Sequence, residues 1–265
     1  YASGSGSTAI VFTTTIAEGD TASSDLSVSS MDSDAGGATM KDSAGNSVSE
    51  TVTAGDLGTV TVDGAVPVFS SVTATDGAYG VGDVLTITVT WGEAVVVSGT
   101  PTLTLSNSDT ASYASGSGST ALVFTTTIAE GDSDSSDLSV SSFGGTITDS
   151  AGGAAGAASG DLGAVTVDGD APDFTSCAAT DDTYGIGEAL SITCTWDEAV
   201  VTSDGTLTLS NSDTASYASG SGSTALVFTT TIAEGDTDSS DLSVSSFGGT
   251  IADSAGGAAG AASGD

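Results

Sequence analysis

What most constrains this chain is that it repeats itself. The segment YASGSGSTAIVFTTTIAEGD at 1–20 recurs at 113–132 and 217–236, with Leu122 and Leu226 in place of Ile10. The last two copies stay in step for 49 residues, 113–161 against 217–265, and differ only at Ser133/Thr237 and Thr148/Ala252. A looser block, PVFSSVTATDGAYGVGDVLTITVTW at 67–91, returns as PDFTSCAATDDTYGIGEALSITCTW at 172–196, a spacing of 105 residues that shortens to 104 after one residue is lost near Asp204. That period suits a small β-domain and is too long for a solenoid coil of about 20–50 residues. The units run 1–64, 65–168 and 169–265. The first is the C-terminal part of a unit, the second is complete, and the third lacks its last strand, since Asp265 matches Asp161 and the LGAVTVDG that follows Asp161 is not repeated. Cutting a periodic array at arbitrary points needs no special mechanism, so an excerpt of a longer array is the expectation. A missing strand supplied by a neighbouring chain is the alternative.

Inside each unit the pattern has period two, the signature of half-buried strands. In VLTITVTW, Leu85, Ile87, Val89 and Trp91 point one way and Thr86, Thr88 and Thr90 the other. TLTLS (102–106), ALVFTTTIA (121–129), DLSVSS (137–142), GTIT (145–148) and AVTVD (164–168) read as further strands, separated by Gly, Ser and Asp turns. No stretch carries a 3.6-residue period. The expected fold class is all-β, in tandem immunoglobulin-like β-sandwich repeats of about 105 residues, because about seven short strands in that length is the count of such a sandwich.

Charge excludes several function classes. There are 35 acidic residues against one base, Lys41, with no Arg and no His, and the net charge is −34. A nucleic-acid or anionic-membrane partner needs clustered Lys and Arg, so neither is expected. No Ser-His-Asp or Cys-His arrangement can be assembled without His, and a carboxylate pair of glycosidase type duplicated in near-identical tandem units would be odd; the chain is not read as an enzyme. The apolar fraction of 38% separates it from disordered acidic tails. The longest apolar run falls far short of the roughly 18–20 residues that span a bilayer.

The two cysteines are placed by comparing repeats. Val72 and Val89 of the middle unit become Cys177 and Cys194 in the last, together, on the first two strands and in the apolar phase. Paired inward positions argue for a disulfide between Cys177 and Cys194 and for an oxidising, extracellular setting. The competing reading is two buried thiols packing as small hydrophobes.

The strings PxFxxVTATDGxYGxGDxLxITVTWxE, GTPTLTLSN, YxSGSGSxxLxF, the GD turn before DLSV, GTITDSAG and the closing VTVDG resemble tandem bacterial-type immunoglobulin-like or cadherin-like repeats of giant surface proteins, including adhesin extender arrays. The resemblance covers essentially the whole chain and implies a spacer that holds a terminal module away from a cell. The DxNDN linker of cadherin-type repeats is missing. Calcium is the cofactor this acidity suggests, as a hard cation taking about six to eight oxygen ligands. The pole where the chain leaves a sandwich would gather Asp76, Asp83, Glu130, Asp132, Asp137, Asp168 and Asp170, with Asp181, Glu188, Glu234, Asp236 and Asp241 as repeat counterparts. The plainer reading is a solvated acidic surface; Asp170 and Asp173 replace Ala65 and Val68 of the earlier linker, so a linker site would not be uniform.

Other motifs favour structure. DSAGN at 42–46, DSAGG in its later copies, reads as a tight turn rather than a calcium loop. GGAAGAASGD at 152–161 and 256–265 reads as a loop between the last strands, or as a close-packing surface. Trp91 and Trp196 are core positions by phase. Asn46, Asn107 and Asn211 lack a Ser or Thr two places on, so N-glycosylation is not encoded, while exposed Thr and the SGSGST run offer acceptors for O-linked glycans. The expected function is a non-enzymatic extracellular shaft or filament whose partners are neighbouring repeats and other copies. The alternatives are a multivalent module that binds a glycan, ice or a partner protein, and a subunit that polymerises by strand exchange.

Overall fold

The computed structural model describes residues 1–32, 39–48 and 55–259, and no helix occurs among them. In the first unit β1 (Ser27–Val28) pairs antiparallel with β2 (Gly55–Asp56), and single bridges join Ser3 to Val11, Ser23 to Val62 and Lys41 to Ser47. The middle unit holds β3 (Phe69–Ala74), β4 (Gly77–Tyr79), β5 (Val84–Leu105), β6 (Thr110–Ser115), β7 (Ser119–Thr127), β8 (Ser139–Thr148), β9 (Gly160–Asp161) and β10 (Val165–Val167). The last unit holds β11 (Phe174–Ala179), β12 (Ala189–Val200), β13 (Thr206–Leu209), β14 (Thr214–Ser219), β15 (Ser223–Thr231) and β16 (Val244–Gly248).

Strand β5 organises the middle unit because it is used twice. Its first half pairs antiparallel with β3 and β7, as in Val72↔Val89 and Ile87↔Phe124. Its second half pairs with β6 and β8, as in Leu103↔Ala111 and Leu103↔Phe143. Since β6 also pairs with β7, the ladder folds back on itself around one core, giving a sandwich-like arrangement. Leu85, Ile87, Val89 and Trp91 are at most 2% exposed, as the alternation predicts. TLTLS and GTIT are not separate strands: TLTL continues β5 and GTIT continues β8. Both runs bend through register shifts, at Ser98/Thr102 on β5 and opposite it on β8. Gly145, at φ +110°, makes room there, since a Cβ would lie 2.8 Å from the Cα of buried Pro101.

The last unit repeats the order, β11-β12-β15-β14-β13-β16, but the long strand is split. The lost residue falls between β12 and β13, where Gly205 takes the place of Pro101 and Asp204 accepts the Thr250 N–H at 3.1 Å. Coverage of the core also differs between the two units. Leu162, Val165 and Val167 are at most 4% exposed over a fully buried Leu138, whereas its counterpart Leu242 is 37% exposed. Residues 260–265, the end of the second GGAAGAASGD stretch, lie outside the described residues.

The first unit departs from the pattern even where its sequence matches the others. STAIVFTTT at 7–15 differs from β7 and β15 only at Ile10, yet it forms no strand, and Phe12 is 57% exposed while Phe124 and Phe228 are fully buried. The VLTITVTW and TLTL segments that flank β7 have no counterpart in 1–64.

Cys177 and Cys194 are cross-strand partners on β11 and β12, disulfide-bonded with Cα atoms 4.0 Å apart, in the places of Val72 and Val89. The double variant C177V/C194V restores the pair of the middle unit. It is expected to lower the stability of the last unit by about 2–3 kcal/mol through lost loop-closure entropy, read as an earlier urea transition beside an unmoved transition of the middle unit. Superimposable curves would show that the cross-link adds no stability.

Candidate metal centre

The acidic groups that meet come from both sides of each unit boundary. Asp63 and Asp168 close the two VTVD segments, one place past Val62, which makes a single bridge to Ser23, and Val167, the last residue of β10, both of them buried. The next glycine fixes each strand end: Gly19 donates its N–H to the Gly64 carbonyl at 2.8 Å, and Gly131 does the same to Gly169 at 2.8 Å. Glu93 and Glu198 follow the core tryptophans at WGE and WDE. The ladder with β7 loses register between Thr90 and Val95, and that with β15 between Thr195 and Val200. Trp91 and Val95 are both inward across this irregularity, which leaves each glutamate half-buried within it.

Asp149 and Asp253 open the two DSAGG loops. The Oδ1 of Asp149 accepts the N–H groups of Ala151 (2.7 Å) and Gly153 (2.9 Å), and that of Asp253 accepts those of Ala255, Gly256 and Gly257 at 2.6, 2.7 and 3.1 Å. These bonds hold each side chain rigidly inside its turn, with 4% and 3% exposure. The other oxygen, Oδ2, is buried and has no hydrogen-bond partner in either residue. A buried carboxylate oxygen without a partner carries a desolvation cost that nothing in the loop offsets.

At the first boundary Asp63 of one unit joins Glu93 and Asp149 of the next, with one carboxylate oxygen from each lying within 4.8 Å of the others, the only such acidic group among the described residues. The Ala65 carbonyl faces the same loop, 3.1 Å from where a Cβ on Gly153 would stand. At the second boundary the counterparts by repeat position are Asp168, Glu198 and Asp253, which interact electrostatically with one another and with Asp170 and Asp197 but do not bring three carboxylate oxygens within 4.8 Å of one another. Desolvation, then Asp63 and Asp149, raise the Glu93 carboxyl above its ordinary range. Desolvation, then Asp253, raise Asp168. Glu198 is pushed up to about 7 by desolvation, then by Asp168, Asp253, Asp197 and Asp170.

Most residues placed in a pole cluster by sequence reasoning have local structural roles. Oδ2 of Asp83, Asp132 and Asp236 and Oε2 of Glu188 accept backbone N–H groups three residues back, from Gly80, Ala129, Ala233 and Gly185, at 2.7 to 3.2 Å. Asp76 accepts the Ala164 N–H at 3.0 Å and so ties β4 to β10. Glu130, Asp137, Asp181, Glu234 and Asp241 are exposed. Only Asp168, with Asp170 beside it, belongs to a boundary cluster. Glu93, Glu198, Asp149 and Asp253 were missed. Their signal was present in the recurring WxE and TxxDSAG contexts, but the loop reads from sequence as a turn and nothing local says that one carboxylate oxygen is buried.

Comparison with protein-family models and with curated proteins returns no match.

The Glu198 shift has a definite sign. Between about pH 4.5 and 7 the folded state holds a proton that the unfolded chain releases, so stability falls as pH rises through that window, and the penalty is complete above it. In chelator, the melting temperature of the last unit is expected to drop across this range in the native chain and to lose much of that slope in Glu198→Gln. An unchanged slope would exclude Glu198 as its source.

Proposed function

We propose that this chain is a non-enzymatic structural array: tandem immunoglobulin-like sandwich units of about 105 residues, forming an extended extracellular shaft or filament of a large surface protein and bearing calcium at the unit boundaries. Two observations on one residue carry this reading: Asp149 has a buried, unpartnered Oδ2, and one of its carboxylate oxygens lies within 4.8 Å of oxygens from Glu93 of its own unit and Asp63 of the preceding one. Three carboxylates drawn from two units repel one another, and a hard divalent cation turns that repulsion into a clamp across the boundary. The recurrence of Asp168, Glu198 and Asp253 at the next boundary supports a role tied to the repeat.

Other features support the shaft. The near-identity of 113–161 and 217–265 suits a spacer, which needs length more than distinct pockets. The Cys177–Cys194 bond suits an oxidising compartment. A net charge of −34 keeps copies soluble and apart in salt. Neighbouring repeats are the partners that such a shaft needs, and its outward Thr residues remain acceptors for O-linked glycans.

Small-angle scattering and a thermal melt of the whole chain, with millimolar calcium and then with chelator, test the cation clamp. Calcium is expected to raise the melting temperature and to lengthen the maximum dimension, and chelator to reverse both. If neither quantity responds, the boundaries are held by packing alone and the acids serve solvation.

A further inference from the structure

The DSAG loop occurs three times, and its fifth residue differs: Asn46 in the first unit, Gly153 and Gly257 in the others. The backbone closes in the same way in each. Asp42 donates its N–H to the Asn46 carbonyl at 2.9 Å, Asp149 to Gly153 at 2.9 Å and Asp253 to Gly257 at 3.0 Å. In each loop Oδ1 of the leading aspartate accepts backbone N–H groups from within the turn.

The loops part company at Oδ2. In the first, the Asn46 side-chain amide donates to Asp42 Oδ2 at 2.8 Å. In the other two the glycine has no side-chain donor, its N–H going to Oδ1, and Oδ2 is buried without a partner. A Cβ built on Gly153 or Gly257 would press directly on that same oxygen. The side chain at this position therefore points at the carboxylate in whichever loop carries one.

We infer that the fifth residue of the D-S-A-G-x loop decides whether the loop recruits a cation: glycine leaves Oδ2 to be satisfied by a divalent ion, and asparagine satisfies it with its own amide. An N–H donor and a metal ion answer the same demand of an acceptor-only carboxylate. The donor arrives with the chain and is independent of ion concentration. On this reading the 42–46 loop is calcium-independent, and the chain binds two calcium ions, one at each boundary where glycine stands. The inference rests on the cation clamp proposed above.

The test is calcium titration by calorimetry of the whole native chain and of Gly257→Asn, with thermal melts in calcium and in chelator. The native chain is expected to bind two equivalents. G257N is expected to bind one, and the last unit is expected to lose its calcium-dependent rise in melting temperature while staying folded in chelator. Two equivalents in G257N with unchanged affinity would overturn the inference and leave the clamp standing. No binding by the native chain would remove the clamp and this inference with it. Should G257N lose its fold, Gly153→Asn is the second variant, with the same drop from two equivalents to one expected. Loss of fold in both would also overturn the inference, because the amide would then have failed to satisfy the carboxylate.

Discussion

Strand β5 has to satisfy two sets of neighbours at once, and the rest of the middle unit follows from that. Its first half lies between β3 and β7 and its second between β6 and β8. Hydrogen bonding and apolar burial are inseparable here: the residues that meet their ladder partners are those whose alternate side chains fill the core. The three nearly identical STAxVFTTT segments show the dependence directly. Two become strands with a fully buried phenylalanine, and the third, at 7–15, makes a single bridge at Val11 and leaves Phe12 exposed. Local propensity is the same in all three, so tertiary pairing decides.

The boundaries between units obey electrostatics more than packing. The first gathers carboxylates from three places that sequence separates widely, the VTVD segment that closes one unit, the second residue after a core tryptophan and the head of a DSAG loop, and the same positions interact through their charges at the second. Glycines make the approach possible. Gly80 of the middle unit, for example, lies against residues 255–257 of the last, where a Cβ would stand 2.9 Å from the Ala255 carbonyl. Desolvation, and after it mutual repulsion, raise the Glu93, Asp168 and Glu198 carboxyls. The only basic side chain in the sequence is Lys41.

Much of the fold was legible because its signals are local or periodic. The inward phase of Leu85, Ile87, Val89 and Trp91 follows from alternation, and the Cys177–Cys194 partnership follows from two substitutions made together between repeats. The site was less legible. Asp168 was visible as a shared linker acid, but Asp149 looks from sequence like an ordinary turn residue. Its importance depends on the solvent accessibility of a single oxygen, and no spacing rule encodes that. The acids of the GD turns, conspicuous in sequence, cap their own turns instead.

The sequence by itself determined the all-β character, the spacing of the units, the inward faces of the strands and the excess of negative charge, since each is a property of local order or of simple counting. Only the tertiary structure decided which of the 35 acids meet, that β5 runs unbroken where its counterpart splits, and that residues 7–15 stay out of a sheet. Those outcomes depend on which distant segments supply hydrogen bonds and exclude water, and a residue's own neighbours in the chain cannot supply either.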